Sequence, residues 1–428
     1  MSASYSRRQT CRLCGGGAHD VVLKLTPTPP ADAYVPLARR DEVQETYPLD
    51  LFLCRGCGHV QLLGVVHPET IYCDYLYETT SSLGLVEHFQ RYAEEVCTRL
   101  APAPGSLVID IGSNDGTLLK GFRARGMRVL GIDPAREIAR QATAAGIETL
   151  PVFFSVELAR TIRAQRGPAA IVTVNNLFAN VDDLSEMTRG IRELLAPEGV
   201  FVFESYYLAD LLQNMVFDFI YHEHLSSFSV RPLTAFFRRY ELELIDAQRV
   251  PTKGGSLRYT AQRSGGARSV SPSLAALMEL EQKQGLDRVE TYRTFAQSLE
   301  AIKGQLLSLL RELRAQGKRI AGFGASATTT TLLYHFELRE FLDFLVDDNP
   351  QRHHLFSPGY HIPVLPPAAL YERKPEAVLI LAWRYAKPIM ERHHAYRRQG
   401  GQFIVPLPVV QVIRGGETSP RELELRRS

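Results

Sequence analysis

Long apolar runs are missing from this chain of 428 residues. No stretch approaches the roughly 20 apolar residues that a bilayer-crossing helix needs. The N-terminus has no apolar core of the kind a secretory signal carries. Charge of one sign is missing too: 49 Lys and Arg against 47 Asp and Glu leave a net +2, with no basic tail and no long charge run. Such a surface offers little to a nucleic-acid backbone or an acidic membrane. The expectation is a cytoplasmic protein that binds neither nucleic acid nor membrane. A hydrophobic content of 45% is ordinary, and the length suffices for two or three domains with sizeable cores.

Cysteine is scarce, with six in the chain, but four of them fall in two knuckles, Cys11-Arg12-Leu13-Cys14 and Cys54-Arg55-Gly56-Cys57. A C-x-x-C knuckle turns two thiolates toward one point, and two knuckles supply the sulfurs of a tetrahedral zinc site. Disulfides are the alternative, disfavoured in a reducing compartment. Four protein ligands close the site, so the zinc is expected to be structural. The loop between the knuckles is longer than in an ordinary zinc ribbon. His19 and His59 are spare candidates, read as surface histidines; Cys73 and Cys97 are read as ordinary buried or half-buried thiols. Strands are expected from Tyr47 to Leu53 and from His59 to Val66, which makes a small β-rich zinc module over 8–75.

The stretch that organises the rest runs from Val108 to Leu119. Leu107 to Ile111 reads as a buried strand. Gly112 and Gly116 bracket a tight turn through Ser113 and Asn114, and Thr117 opens a helix. Glycines let a ligand approach the backbone at a helix N-terminus, on the C-terminal edge of a parallel sheet. The spacing falls short of the dinucleotide fingerprint G-x-G-x-x-G. The acid before the first glycine, Asp110, resembles motif I of S-adenosylmethionine methyltransferases. A second strand, Arg128 to Asp133, ends in a carboxylate able to hold two ribose hydroxyls. A further strand from Ala169 ends in the polar tip Asn175-Asn176, with Asn175 on the cofactor side. Alternating strands and helices imply a doubly wound sheet in a domain over 76–265, entered by a helix from about Leu83 to Leu100.

Two polar stretches stand out near that sheet. Tyr221-His222-Glu223-His224 follows the expected fifth strand, in apolar surroundings. Histidine exchanges a proton near neutral pH, a neighbouring carboxylate orients it, and a tyrosine hydroxyl stabilises an oxyanion. A lone histidine is better read as a local cap; four such residues in a row favour chemistry. The segment around Tyr72, Tyr75 and Tyr77 is dense in aromatics, which is more often packing than catalysis. Lys253 and Arg258, around Gly254-Gly255, can meet a phosphate, although a solvated turn is the commoner explanation. Residues 264–273 read as a linker. Tyr292, Phe295, Leu299, Ile302, Leu306, Leu309 and Leu313 lie on one face of an amphipathic helix. A second Rossmann-like unit follows over 285–415. Its Gly322-Phe323-Gly324 turn and Asp347 suggest a nicotinamide site only weakly, because the third glycine is missing.

In that order, the knuckles, the Asp110 stretch, Asn175 to Asp183, Tyr221 to His224 and the Gly322 to Ser326 turn resemble the zinc-containing C-methyltransferases of deoxysugar biosynthesis. The resemblance spans nearly the whole chain. It implies a zinc-binding lid, an S-adenosylmethionine-binding core and a C-terminal Rossmann-like domain without that cofactor, with a nucleotide-linked 4-keto sugar from an antibiotic pathway as substrate. It implies that His224 is the base, with Tyr221 and Glu223 beside it. Asn176 and Tyr75 or Tyr77 match substrate-side positions, and Lys253 joins them as a candidate. Asn180 stands where the family commonly has histidine, and Thr328 where it usually has lysine. Two rival readings remain: a methyltransferase acting on RNA, protein or another small molecule, and a non-catalytic nucleotide-binding module. The near-neutral charge argues against RNA, and the intact Tyr221 to His224 stretch argues against the module. A monomer or small homo-oligomer is expected.

Overall fold

Two short strands frame the second cysteine knuckle in the computed structural model, which describes residues 4–68, 71, 84–415 and 421–422. They are β1, Leu51–Cys54, and β2, Val60–Leu62, and every residue in both is buried. Between them the Cys54 amide donates to the His59 carbonyl at 2.8 Å, and Gly58 turns the chain at a φ of 77°. The knuckle is therefore the turn of a hairpin.

The entering helix, α1, runs Leu85–Leu100. Leu85, Phe89, Tyr92, Ala93 and Val96 recur at three- and four-residue steps, so they share a face. That face packs on Leu118, Leu119 and Phe122 of α2, Thr117–Arg123. A Cβ at Gly121 would sit 2.9 Å from the Ala93 Cβ, so the two helices approach closely there.

The larger apolar runs then build a seven-stranded sheet. Its strands are β3 Leu107–Ile111, β4 Arg128–Ile132, β5 Thr149–Leu150, β6 Ala169–Asn175, β7 Leu195–Tyr206, β9 Leu242–Val250 and β10 Ser256–Arg263. The order is β9-β10-β7-β6-β3-β4-β5, and β10 alone runs antiparallel to its neighbours β7 and β9. β3 is buried along its whole length, as a strand covered on both faces must be. The order reverses between β3 and β6, and ligands of such sheets bind beside the strand ends at that point. A short strand, β8, Ser226–Ser227, pairs antiparallel with β2, Ser226 opposite Gln61 and Ser227 opposite Val60. α3, Leu184–Leu194, follows β6.

The C-terminal sheet contains β11 Ile320–Phe323, β12 Phe344–Val346, β13 Val364–Leu365, β14 Ala377–Ile380, β15 Gln402–Val405, β16 Gln411–Ile413 and β17 Arg421–Glu422. Its order is β13-β12-β11-β14-β15-β16-β17, with β11 in the interior and parallel to both neighbours. Ahead of it lies α4, Val289–Ala315. The expected stripe on α4 shifts at one place: Leu309 is half-buried while Leu307 and Leu310 are buried. A helix of 3.6 residues per turn drifts off a fixed three-and-four alternation over this length. α5 is Ala327–His335.

The chain forms two units, each discontinuous in sequence. One comprises Met1–Asp20, Phe52–Ala209 and Glu223–Arg288; the other comprises Val21–Leu51, Asp210–His222 and Val289–Ser428. The long insert between the knuckles thus belongs with the C-terminal sheet. There Val35 and Pro36 pair with Phe356 and Leu355, and Arg352 holds the Asp32 carboxylate at 2.6 and 2.7 Å. Among the described residues no helix is long and apolar enough to cross a membrane.

Candidate active site

The turn after β3 is built as its sequence requires. Gly112, Asn114 and Gly116 have φ of 75°, 50° and 73°. Glycine adopts this region freely and asparagine more readily than other side chains. A Cβ on Gly112 would lie 2.7 Å from Leu177, and one on Gly116 2.9 Å from Ile147, so both positions exclude side chains for lack of room as well. The Asp133 carboxylate closes the turn from β4: Oδ2 accepts from the Asn114 amide and Oδ1 from the Ala135 amide, both at 2.9 Å. Each oxygen keeps a second lone pair for a ligand hydroxyl. Burial pushes the Asp133 carboxyl up, against those two amides. Ser113 is buried, and among the described residues its Oγ has no hydrogen-bond partner. The glycine cradle, the half-used carboxylate and this unused hydroxyl fit an adenosine-bearing cofactor.

Asp110 lies in the middle of the sheet and accepts from Thr173 Oγ1 at 2.6 Å. Burial pushes its carboxyl up to about 7, with the Thr173 hydroxyl acting the other way and Asp133 adding to the rise. Asn175 spends its amide oxygen on the Glu204 amide of β7 at 3.0 Å. Asn176 takes a φ of 55° and donates its amide to the Glu204 carbonyl at 2.9 Å. Asn180 ends a short turn, Phe178–Asn180, and donates its amide to the Leu177 carbonyl at 2.7 Å. Lys253 lies in the turn Thr252–Gly254 with a φ of 55°. Tyr75, Tyr77 and Cys73 lie outside the described residues.

Arg258 is not a solvated turn residue or an exposed phosphate contact. It stands opposite Glu204 in the β7–β10 register, with its side chain 3% exposed. Its Nε donates to Glu204 Oε1 at 2.6 Å, and its guanidinium lies 4.0 Å from the Tyr92 ring centroid. The other Glu204 oxygen meets His88 Nε2 at 2.7 Å. Position on an antiparallel strand, which local sequence does not reveal, put this arginine in a buried cluster.

All four residues from Tyr221 to His224 are buried, and the chain passes from one unit to the other between His222 and Glu223. The two histidines differ. His222 Nε2 is engaged with the Tyr47 carbonyl at 3.2 Å, and burial pushes its imidazole down to about 4. His224 lies with its ring centroid 4.9 Å from that of Tyr206 on β7. The Tyr206 hydroxyl donates to the Ser226 carbonyl at 2.8 Å, which holds the segment just past His224 against β7.

The four knuckle cysteines bring their sulfurs within 4.8 Å of one another. Cys11 and Cys57 sulfurs lie 3.7 Å apart, and Cys14 and Cys54 sulfurs 3.5 Å. A tetrahedron with Zn–S of about 2.3 Å has edges of about 3.8 Å. The donor set therefore fits structural zinc. Hydrogen bonding from Cys57 pulls the Cys11 thiol down to about 4 while Cys57 is pushed up, as expected of sulfurs crowded on one point. His59 is not a surface histidine: it is buried, 3.2 Å from Ser226 Oγ and stacked on Phe228. Val60 and Gln61, which follow it, pair with β8, and that pairing carries the ring inside.

Three family models match the chain: a zinc binding domain over 11–72, a methyltransferase domain over 85–247 and a C-methyltransferase C-terminal domain over 251–408. The chain is 34% identical over 415 residues to the C-methyltransferase NovU of Streptomyces niveus, covering 95% of this chain and 97% of that protein. Solved structures that resemble it include the magnesium protoporphyrin IX methyltransferase of Synechocystis with bound S-adenosylmethionine. That match has 15% identity, 46% of this chain, 89% of that one and a TM-score of 0.33. Another is an S-adenosylmethionine-dependent methyltransferase of Clostridium acetobutylicum, with 14% identity, 42% and 92% coverage and a TM-score of 0.34.

Proposed function

Because the chain belongs to the zinc-containing, S-adenosylmethionine-dependent C-methyltransferases, we propose that its acceptor is the carbon beside the ketone of a nucleotide-linked 4-keto-deoxysugar. Carbon is a nucleophile only as a carbanion equivalent, and a neighbouring ketone makes the C–H proton removable. His224 takes that proton, and the electron pair passes into the enolate. Tyr221 donates a hydrogen bond to the enolate oxygen, and Glu223 orients the imidazole. Bound S-adenosylmethionine supplies the methyl group and leaves as S-adenosylhomocysteine. Asp110, Gly112, Ser113, Asn114, Gly116, Asp133 and Asn175 line the cofactor side. Asn176, Asn180, Lys253, Tyr75 and Tyr77 serve the acceptor side. Holding both reactants aligned accounts for much of the rate.

The state of His222 supports this assignment. His222 Nε2 is spent on the Tyr47 carbonyl, and burial pushes its imidazole down to about 4, which makes it a weak base and supports giving the proton to His224. The test is a panel of nucleotide 4-keto-deoxysugars incubated with the protein and S-adenosylmethionine. Expected is S-adenosylhomocysteine together with a sugar methylated at carbon. Methylation of RNA, a protein or a non-sugar molecule, with every keto sugar inert, would overturn the acceptor class.

A further inference from the structure

Arg12 lies inside the first knuckle, between the zinc ligands Cys11 and Cys14, yet its side chain is 0% exposed. A guanidinium is taken out of water at a large cost unless its donors are matched. Here Nε donates to Asp182 Oδ1 at 3.0 Å. The two hydrogens of Nη1 face the Leu62 carbonyl and Gln61 Oε1 at 3.2 Å, with the Leu225 carbonyl a third, longer contact at 3.4 Å, and Nη2 lies 2.9 Å from Asp182 Oδ1 as an ion pair. These acceptors belong to three parts of one unit. Gln61 and Leu62 are on β2, directly after the second knuckle. Asp182 is on the loop after β6 that carries Asn176 and Asn180. Leu225 directly follows His224.

The joint is reinforced at each end. The Leu225 carbonyl also accepts from the Leu62 amide at 2.9 Å. Asp182 also receives Arg8 Nη1 at 3.2 Å, and the next residue, Asp183, caps α3 by accepting from the Glu186 amide at 2.9 Å. Only a planar fork with donors pointing several ways serves a carboxylate and two carbonyls at once; an ammonium on a flexible stem does not. We propose that Arg12 is a positioning residue for His224, through which the zinc knuckle sets the place of the base and of the Asn180 loop. This rests on His224 being the base. Zinc then does more than hold its own module: it holds the backbone from which the guanidinium reaches.

Two variants test this in the zinc-loaded full chain. Arg12→Lys keeps the charge and loses the fork. Asp182→Asn weakens the far end at a half-exposed position. Expected is a kcat lowered about 10–10²-fold in Arg12→Lys, the size seen when reacting groups are misplaced by about 1 Å, and lowered less in Asp182→Asn. Zinc content and S-adenosylhomocysteine affinity should be unchanged in both. The imidazole proton resonance of His224, assigned by its loss in His224→Gln, should move in both. The double variant should lose less than the product of the two single losses, because the residues share one contact. Wild-type kcat with an unmoved His224 resonance in both variants would overturn the proposal. If Arg12→Lys loses zinc, Asp182→Asn decides alone: an unmoved resonance there sinks the idea. If the wild type methylates no keto sugar, the functional reading fails, while the resonance still decides whether Arg12 positions His224.

Discussion

The molecule solves one backbone problem twice. In the first sheet, Asp133 at the end of β4 accepts the Asn114 amide of the glycine turn and the amide two residues ahead, that of Ala135. In the C-terminal sheet, Asp347 at the end of β12 accepts the Ala325 amide of its own turn at 2.6 Å and the amide two residues ahead, that of Asn349, at 2.7 Å. The same acid therefore braces both turns, so an acid after a second strand does not by itself announce a ligand. The difference lies at the helix starts. α5 begins with a capping box: Ser326 accepts at its own helix start, and its amide donates to Thr329 Oγ1 at 3.2 Å. The helix fills its anion-binding end with its own side chains. α2 begins at Gly116, which has no side chain to do this; its first amide, that of Thr117, is taken instead by Asp115 Oδ1 at 3.0 Å, and the buried Ser113 hydroxyl nearby is unused among the described residues. Both helix starts thus hold a side-chain acceptor of their own, and the turns differ in the bare Gly116 and the unused Ser113 hydroxyl of the first.

Zinc gives the largest way to divide the two. Structural zinc contributes on the order of 10 kcal/mol to small modules. Chelation, or Cys54→Ser, should therefore strip hydrogen-exchange protection from β1 and β2 and leave β11, β12 and β14 protected. Loss of protection in the C-terminal sheet as well would show that the metal supports both units.

The acids offer a direct exchange test. Asp133→Ala should weaken S-adenosylmethionine binding about 10–10²-fold, the size of one or two hydrogen bonds to a charged group, and Asp347→Ala should leave it unchanged. Calorimetry should give one cofactor per chain. A stoichiometry of two, or an effect of Asp347→Ala equal to that of Asp133→Ala, would erase the distinction between the turns.

Asp110 supplies an effect spread over several pH units, so it is small at any one pH step. Its carboxyl is raised from 3.8 to about 7, so between those pH values the folded chain holds a proton that the unfolded chain has released. Stability contributed by the protonated form is thus lost as pH rises through that window, by at most about 1.4 kcal/mol per pH unit. Asp110→Asn removes this dependence. Its melting temperature relative to wild type should rise from pH 5 to pH 7 and level off above. A difference that does not change with pH would show that Asp110 ionises freely in the fold.

Much of this was legible before any coordinates. Leu107 to Ile111 forms the strand its apolar run dictates, because a strand buried on both faces needs no long-range information to be seen. The knuckles are legible for a similar reason: two thiols three residues apart face one point by local geometry. The burial of Arg12 and Arg258 was not legible. Each is settled by partners far along the chain, Asp182 and Leu225 for one and Glu204 for the other, and an arginine in a turn or on a strand looks solvated until its partners are known. Nor does anything within residues 21–51 reveal that they belong with the C-terminal sheet. The His222–His224 pair was assigned from resemblance; that His222 Nε2 is spent on the Tyr47 carbonyl, far along the chain, is seen only in the fold.

The measurement that bears most directly on the central claim is methyl transfer in His224→Ala beside His222→Ala, with solvent-deuterium exchange into the keto sugar followed in parallel. Loss of a positioned base costs roughly 10²–10⁴-fold. His224→Ala should show that loss in both readouts, with S-adenosylhomocysteine affinity intact, and His222→Ala should lose much less in each. Turnover at the wild-type rate in His224→Ala, with exchange preserved, would contradict the account.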